Sequence, residues 1–220
     1  MLSSTMVNML IEATGATLYM TILSTFFGYV IGLPLGIVLT ITDKDGIKPN
    51  GAVYKALDFI VNVFRSIPFL ILLIMVMPLT GLIVGKTYGS TATIVPLVIA
   101  AAPFIGRMVE SSLKEVDKGV VEAAQSMGAS TATIIWKVLL AEARTSLLVG
   151  VTIVVGTIFG YSAMAGVIGG GGLGDVAIRY GYYRYETGIM MVTIVILVVL
   201  VQILQGLGMM LSKKFDKRRV

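Results

Sequence analysis

Side chains that commonly carry chemistry are scarce within the apolar runs of this chain. The 220 residues contain no cysteine and no histidine, which excludes thiol nucleophiles, disulfides and histidine-based metal sites or relays. The twelve acidic residues fall between the long apolar runs or near their ends. An ion-coupled carrier usually shows a charged side chain buried in the membrane, so this distribution argues against one. Backbone carbonyls at a broken helix could still hold sodium, which keeps the carrier as an alternative.

The glycine run from Gly169 to Gly172 has the composition of a phosphate-binding loop but not the context. No lysine follows it in the GxxxxGK[ST] spacing of a nucleotide-binding loop, and no strand precedes it as in a dinucleotide fold. We interpret these glycines as a flexible or tightly packed loop. Close approach of a partner's backbone is compatible with that interpretation.

A polar stretch between apolar runs, Glu122 to Ala143, reads EAAQSMGASTATIIWKVLLAEA and is too polar to span a membrane. Glu122 is expected near the start of a short helix, where a carboxylate favours the helix dipole. Gly128 should end that helix, and Ser130 should cap a second one. An apolar stripe is expected on the second helix, formed by Ile134, Ile135, Val138 and Leu139. The spacing alone fits an amphipathic pair resting on a membrane surface.

Composition places these segments in an all-α integral membrane protein. The chain is 56% hydrophobic and 13% charged, whereas soluble domains carry roughly 25% charge. A bilayer core of about 30 Å needs about 20 apolar residues as helix. Residues 1–220 are therefore expected to form one transmembrane domain with five spans, at about 17–41, 57–80, 91–108, 146–168 and 188–211. Kinks are expected at the prolines in or beside these spans: Pro34, Pro68, Pro78, Pro96 and Pro103.

Basic residues predict how the chain is oriented. Of the 17 lysines and arginines, fourteen fall on one side of the five predicted spans and three on the other. The positive-inside rule then places the N-terminus outside, and the C-terminus and residues 119–142 in the cytoplasm. The charge is accounted for by orientation and contact with lipid headgroups, so nucleic-acid binding is not expected.

Small residues in the fourth span suggest a path for a solute. Gly156 and Gly160 form a small-xxx-small pair, which ordinary helix packing would explain. The alternative is a path of small and weakly polar side chains, with Tyr161 and Ser162 among its candidates. Met164, a flexible thioether near the outer end, could meet its copy from a second subunit and close that path.

Arg65 lies at the start of the most apolar part of the second span. It is expected to extend toward the cytoplasmic headgroups, or to pair with Asp58 or Glu110. Arg107 and Glu110 are three residues apart, which predicts a pair on one helix face. None of these residues suggests catalysis.

The polar stretch resembles the EAA motif of bacterial ABC importer permeases. Glu122, Ala123 and Ala124 are followed after three residues by Gly128, and after nine more by Val138-Leu139-Leu140. Val138 replaces the usual isoleucine, Leu140 is kept, and Ala141 replaces the usual proline. The resemblance implies that residues 119–142 are coupling helices that dock into a groove on a separate ATPase subunit.

Four further segments resemble the methionine-uptake branch of these permeases: FRSIPF (64–69), APFIGRMVE (102–110), GYSAMAG (160–166) and GGGGLGDVAIRYGY (169–182). The resemblance implies a type I ABC importer permease fold in the bacterial inner membrane. It further implies a homodimer that carries L- and D-methionine, a cytoplasmic ATPase dimer that uses ATP and Mg²⁺, and an extracytoplasmic methionine-binding protein or lipoprotein. This chain itself would bind no cofactor and catalyse no reaction. Another small amino acid or sulfur compound, and a non-transporting scaffold, stay open.

Overall fold

The computed structural model describes residues 4–215, and these residues form helices joined by short turns. The α-helices are α1 (Ser4–Thr42), α2 (Gly51–Ser66), α3 (Phe69–Val84), α4 (Ser90–Lys114), α5 (Lys118–Ser126), α6 (Thr131–Thr133), α7 (Leu140–Glu142), α8 (Arg144–Ala165), α9 (Gly172–Val176) and α10 (Thr187–Phe215). A 3-10 turn follows α8 at Gly166–Ile168, and π-helical stretches occupy Ile134–Leu139 and Ala177–Tyr182. The last basic residues used for the orientation, Lys217, Arg218 and Arg219, lie outside the described residues.

Four helical segments in the described part are long and apolar enough to cross a membrane: α1, α4, α8 with its 3-10 turn, and α10. A fifth crossing results if α2 and α3, which meet at a sharp bend, count as one span. The all-helical fold class predicted from composition is confirmed.

The predicted span 57–80 is formed by two helices, α2 and α3, that meet at Pro68. The Asn50 side chain accepts a hydrogen bond from the Val53 N–H at 3.2 Å, so α2 begins already at Gly51. Ile67 is extended because it precedes Pro68, which disfavours helical backbone, and the axis turns there by 108°. A bend at Pro68 is thus present, whereas the other four predicted prolines lie inside helices that continue past them.

Two other helices extend beyond the predicted spans. The first begins at Ser4 rather than near residue 17, and α4 continues past residue 108 to Lys114. Polar residues such as Asn8 and Glu12 lower the local apolarity, but neither interrupts a helix. The apolar runs therefore predicted the membrane-compatible part of each helix, but not the residues at which each helix begins and ends.

Glycines bring α1 and α4 into close contact. Gly28, Gly32 and Gly36 are spaced by four residues and share one face of α1. A Cβ atom on Gly32 would lie 2.6 Å from Cβ of Ile105, and one on Gly36 would lie 2.6 Å from Cβ of Val109. Small residues at this spacing let two helix backbones approach. Ile105 and Val109 are buried in the resulting contact.

The glycine run packs tightly on the end of α8. The Leu173 N–H donates to the Thr17 hydroxyl at 2.9 Å, and the Gly89 N–H donates to the Gly169 carbonyl at 2.9 Å. A Cβ on Gly170 would lie 2.7 Å from the Ala165 carbonyl oxygen, and one on Gly172 would lie 2.6 Å from the Thr17 hydroxyl oxygen. Of the two interpretations of this run, flexible or tightly packed, the structure supports the second.

Candidate coupling surface and translocation path

The polar stretch folds as two helical pieces with a glycine between them. The Asp117 side chain accepts from the Gly119 N–H at 2.7 Å and caps α5. Gly128 has φ +77°, and its N–H donates to the Gln125 carbonyl at 2.9 Å. A glycine in the left-handed region is the usual end of a helix, so the predicted stop is present. Glu122, expected near the start of this helix, is its fifth residue, and Asp117 occupies the start instead.

The second piece begins at Ser130, whose hydroxyl accepts from the Thr133 N–H at 3.2 Å as predicted. It continues through the π-helical stretch Ile134–Leu139 to α7 and ends at Ala143. Ala141, the residue that stands in place of the motif's proline, lies inside α7. The chain stays helical up to Glu142 because alanine keeps the N–H that proline lacks.

The predicted coupling residues divide into an outward and an inward set. Glu122, Ala123 and Gly128 are exposed, whereas Ala124 is buried and Val138 and Leu140 pack against the core. The inward residues fix the segment to the rest of the molecule. The outward residues are free to meet another protein.

Large apolar side chains are also exposed on this segment. Met127 is 81% exposed and Trp136 is 67% exposed. Contiguous exposed apolar patches that are rimmed by polar residues mark interaction sites. We call the exposed side chains Val120, Glu122, Ala123, Met127 and Trp136 the coupling surface.

An ion network, formed by Asp43, Asp58, Arg107, Glu110 and Lys114, precedes the coupling surface. Glu110 is buried, and its carboxylate accepts from Arg107 at 2.7 Å and from Lys114 at 2.8 Å. Arg107 also pairs with Asp58 of α2, and Lys114 pairs with Asp43 at 2.5 Å. The network therefore joins the end of α1, the middle of α2 and the end of α4.

Two predictions about these charges have different outcomes. The pair between Arg107 and Glu110 is confirmed. The alternative in which Arg65 pairs with Asp58 or Glu110 is wrong, because Arg107 pairs with both carboxylates. The extension of Arg65 toward the headgroups stays a prediction. Sequence spacing showed the pair within α4 but gave no sign that Asp58 lies opposite it.

Lys114 keeps the Asp43 carboxylate charged. The hydrogen bond from Lys114 lowers the pKa of Asp43, and burial opposes this only in part. A carboxyl whose pKa is lowered by folding stabilises the fold above its unfolded pKa, and this stabilisation is lost as the pH falls through its folded pKa. The bridge is therefore intact at neutral pH.

A cavity of about 370 Å³ separates α5 from the turn after α1. Glu122 and Lys118 line it from α5, and Asp45 lines it from the turn. The coupling segment is thus anchored at Ala124 and through its second piece, with this cavity beside α5.

The candidate path residues of α8 lie on different sides of that helix. Gly160 and Met164 are exposed on one stripe with Ile153. Gly156 packs against α10, where a Cβ would lie 2.9 Å from Nε2 of Gln205. Ser162 is buried, and its hydroxyl donates to the Phe159 carbonyl at 2.7 Å.

Tyr161, the fifth candidate, is half-buried and stacks on Phe69. The exposed stripe is the part of α8 that a second subunit or a solute could contact. The assignment of these five residues to a path stays a prediction.

Sequence reasoning missed the glycine stripe of α1 and Lys114 as a second partner of Glu110. The four-residue spacing from Gly28 to Gly36 was a readable signal, because it repeats the pattern noted in the fourth span. Arg107, Glu110 and Lys114 also lie at helical spacing. In the described part of the chain, no cluster of three or more acidic side chains is placed to hold a metal ion.

Comparison with known proteins places the chain in a family. The family model described as binding-protein-dependent transport system inner membrane component matches residues 32–217. A probable D-methionine transport system permease protein MetI from Vibrio cholerae is 52% identical over 211 residues, covering 96% of this chain and 94% of the relative. The methionine import system permease protein MetP of Bacillus subtilis is 45% identical over 207 residues, covering 94% of this chain and 93% of the relative.

Solved structures agree with the sequence relatives. A chain from inward-facing conformations of the MetNI methionine ABC transporter superposes with a TM-score of 0.96 at 44% identity, covering 98% of this chain and all of that one. An amino acid ABC transporter chain at 20% identity, matched over 96% of this chain and 94% of its own length, has a TM-score of 0.73 and shares the fold. The chain therefore belongs to the family of binding-protein-dependent transport system inner membrane components.

Proposed function

We propose that this chain is the membrane permease of an ATP-driven methionine importer. One observation carries the proposal: the chain is 44% identical, over 98% of its length, to a chain of the MetNI methionine ABC transporter. Relatives at 52% and 45% identity, which are named for methionine transport, support the same substrate. L- and D-methionine are both candidate substrates.

The working assembly is proposed to contain two copies of this chain. A two-fold arrangement would cover the exposed stripe of α8 and enclose a central path, as expected for symmetric oligomers. A dimer of ABC ATPases, which uses ATP and Mg²⁺, would bind on the cytoplasmic side. A methionine-binding protein or lipoprotein would deliver the substrate from outside, in keeping with the name of the family.

Residues 1–220 act as one transmembrane domain in this proposal. The chain crosses the bacterial inner membrane five times if α2 and α3 count as one bent span. The N-terminus then lies outside, and the C-terminus and the coupling surface lie in the cytoplasm. Support comes from the basic residues in the last part of α4 and at the start of α8, which lie on one side of the membrane in this topology. They include Arg107, Lys114 and Arg144.

ATP would act on the path through the segment 118–142. ATP binding closes the two ATPases, and each ATPase moves the coupling surface that is docked on it. Ala124, Val138 and Leu140 transmit this motion to the core, and the left-handed turn at Gly128 joins the two helical pieces. The outer ends of the two α8 helices separate, Met164 leaves the path, and substrate enters. Hydrolysis then restores the inward-facing state.

Copurification from membranes tests the ATPase assignment. The tagged wild type is compared with the double variant Glu122→Arg, Gly128→Pro, which reverses a charge on the coupling surface and removes the left-handed turn. The wild type should retain a nucleotide-binding ATPase subunit and the variant should lose it, with equal amounts of both chains in the membrane. If crosslinking in intact membranes also yields no ATPase with the wild type, the proposal fails.

A further inference from the structure

Arg65 has no protein partner among residues 4–215. Its nearest candidates, Asp58 and Glu110, are both engaged by Arg107. No ion pair or hydrogen bond of the described chain includes the Arg65 guanidinium. An arginine close to a membrane-buried break in a helix is costly unless it faces a cavity or a ligand.

The break places this arginine deep in the membrane in the proposed topology. Ala100 and Phe104 of α4 lie beside the break, and both fall in the middle part of the predicted span 91–108. The break is therefore expected near the middle of a hydrocarbon core of about 30 Å. Discontinuous helices near the bilayer midplane are where transporters commonly bind substrate.

A cavity of about 220 Å³ adjoins Arg65 at the break. Phe64 and Phe69 line it from the two sides of the break, Phe104 from α4 and Tyr161 from α8. Aromatic rings thus form much of the wall, and Arg65 supplies the only charge among the described residues that line the cavity. The cavity has room for a small molecule and is bounded by the helices that the proposed mechanism moves.

These side chains match the groups of a zwitterionic amino acid with an apolar side chain. A guanidinium binds a carboxylate by charge-assisted hydrogen bonds. Aromatic rings attract a thioether sulfur, and their faces attract an ammonium group. The start of α3 adds a favourable field for the carboxylate, because Pro68 gives that helix end no side-chain cap.

We propose that this cavity is a binding site for the amino acid during its passage through the membrane, with Arg65 holding the carboxylate. The proposal rests on the proposed function, since it takes methionine as the solute. The aromatic walls contact the side chain, and the site selects for a free carboxylate beside an unbranched apolar group. Occupancy is brief, because the part of the chain that the structure describes places no acidic residue in the cavity wall to fix the ammonium group.

Photolabelling of the wild type tests the site without any substitution. Photo-methionine, a diazirine analogue of L-methionine, is supplied during turnover to the complex reconstituted with its ATPase and binding protein. Irradiation should label peptides that contain residues 64–72, 100–104 or 161, and excess L-methionine should suppress the labelling. Labelling of the permease only elsewhere, or labelling that methionine does not suppress, would overturn the site.

Substitution of Arg65 gives a second test. Arg65→Gln should lower the initial uptake of limiting L-methionine by about tenfold or more, while ATP hydrolysis stays stimulated by the loaded binding protein. Arg65→Lys should recover part of the uptake, because it restores the charge. Lys86→Gln, which removes an exposed cation from the turn after α3, should leave uptake unchanged.

The outcomes separate this site from the proposed function. If the wild type and Arg65→Gln take up methionine equally, the proposed site is overturned and the proposed importer function stands. This is the result expected if Arg65 contacts a lipid phosphate instead. Absence of methionine uptake by the wild type overturns both. If Arg65→Gln does not assemble with the ATPase, the photolabelling pattern of the wild type decides alone.

Discussion

Tyr161 of α8 lies flat on Phe69, the first residue of α3, with ring centroids 4.5 Å apart and ring planes 2° apart. Such an aromatic pair contributes about 0.5–1.5 kcal/mol beyond the area it buries. The stack therefore ties the outer half of α8, where Met164 lies three residues further along, to the bend between α2 and α3. Any rearrangement of α8 that opens the path must also shift this contact, which connects the candidate gate with the aromatic cavity.

Replacement of Met164 by alanine should loosen the outer closure. Met164 is 48% exposed on the α8 stripe, and alanine removes the flexible thioether that would meet its copy. We expect increased leak of substrate or ATP hydrolysis without uptake in reconstituted complexes. Met191→Ala is the matched control, because Met191 of α10 is similarly exposed at 57%. Equal coupling ratios in the two variants would contradict the gate assignment.

Loss of Arg107 should destabilise the permease. Arg107→Met leaves the buried Glu110 carboxylate with Lys114 as its only cationic partner and leaves Asp58 without its cation. Removing one partner of a buried ion pair costs about 3 kcal/mol, which should lower the unfolding midpoint in detergent by about 5 °C or more.

Lys118→Met provides the comparison for this variant. Lys118 reaches Asp45 only at 3.7 Å, and both side chains are exposed, so the change should have almost no effect on the midpoint. A midpoint of Arg107→Met equal to that of Lys118→Met would show that the ion network does not stabilise the fold.

The same substitution at two glycines of α1 should change the stability of the protein in opposite directions. Gly36→Ala places a methyl group 2.6 Å from the Gly106 carbonyl oxygen and Val109, so overpacking should cost about 1–3 kcal/mol. Gly15→Ala meets no atom within 4 Å, and alanine favours a helix over glycine by about 1 kcal/mol. Thermal unfolding in detergent measures both. A Gly36→Ala protein as stable as Gly15→Ala would disprove the close α1–α4 contact.

Trp136 should contribute strongly to ATPase binding. A large exposed aromatic side chain is a typical hot spot, and its truncation commonly costs about 2 kcal/mol or more, which corresponds to roughly a 30-fold weaker Kd. Titration of the ATPase onto the permease in nanodiscs measures the change for Trp136→Ala. Tyr88→Ala, which removes a similarly exposed aromatic from the opposite end of the molecule, should leave the Kd unchanged. If Trp136→Ala binds the ATPase with the Kd of the wild type, the ATPase docks on a different surface.

Local signals predicted much of this structure. Apolar length located the membrane-compatible helices, and Gly128 and Ser130 marked the ends of the two coupling pieces, because such signals act within one turn of the chain. The bend at Pro68 was expected for the same reason. Its size of 108° was not, since the angle depends on how α2 packs against α4 after the chain leaves the break.

Long-range pairing was harder to predict. Asp58 and Arg107 are 49 residues apart, and nothing in either local segment indicates that they meet. The contact between Thr17 and Leu173 bridges 156 residues and depends on the whole fold. Arg65 was expected to extend toward the headgroups, with a pair to Asp58 or Glu110 as the alternative. That Arg107 pairs with both carboxylates became visible only in three dimensions.

ATP-dependent uptake of radiolabelled L-methionine into proteoliposomes tests the central claim most directly. The vesicles contain this chain with its ATPase and binding protein, and matched vesicles contain this chain alone under an imposed sodium or proton gradient. The account predicts uptake that requires ATP, the ATPase and the binding protein, and none driven by a gradient through the chain alone. Gradient-driven uptake by the chain alone, or no methionine uptake by the complete complex, would contradict it.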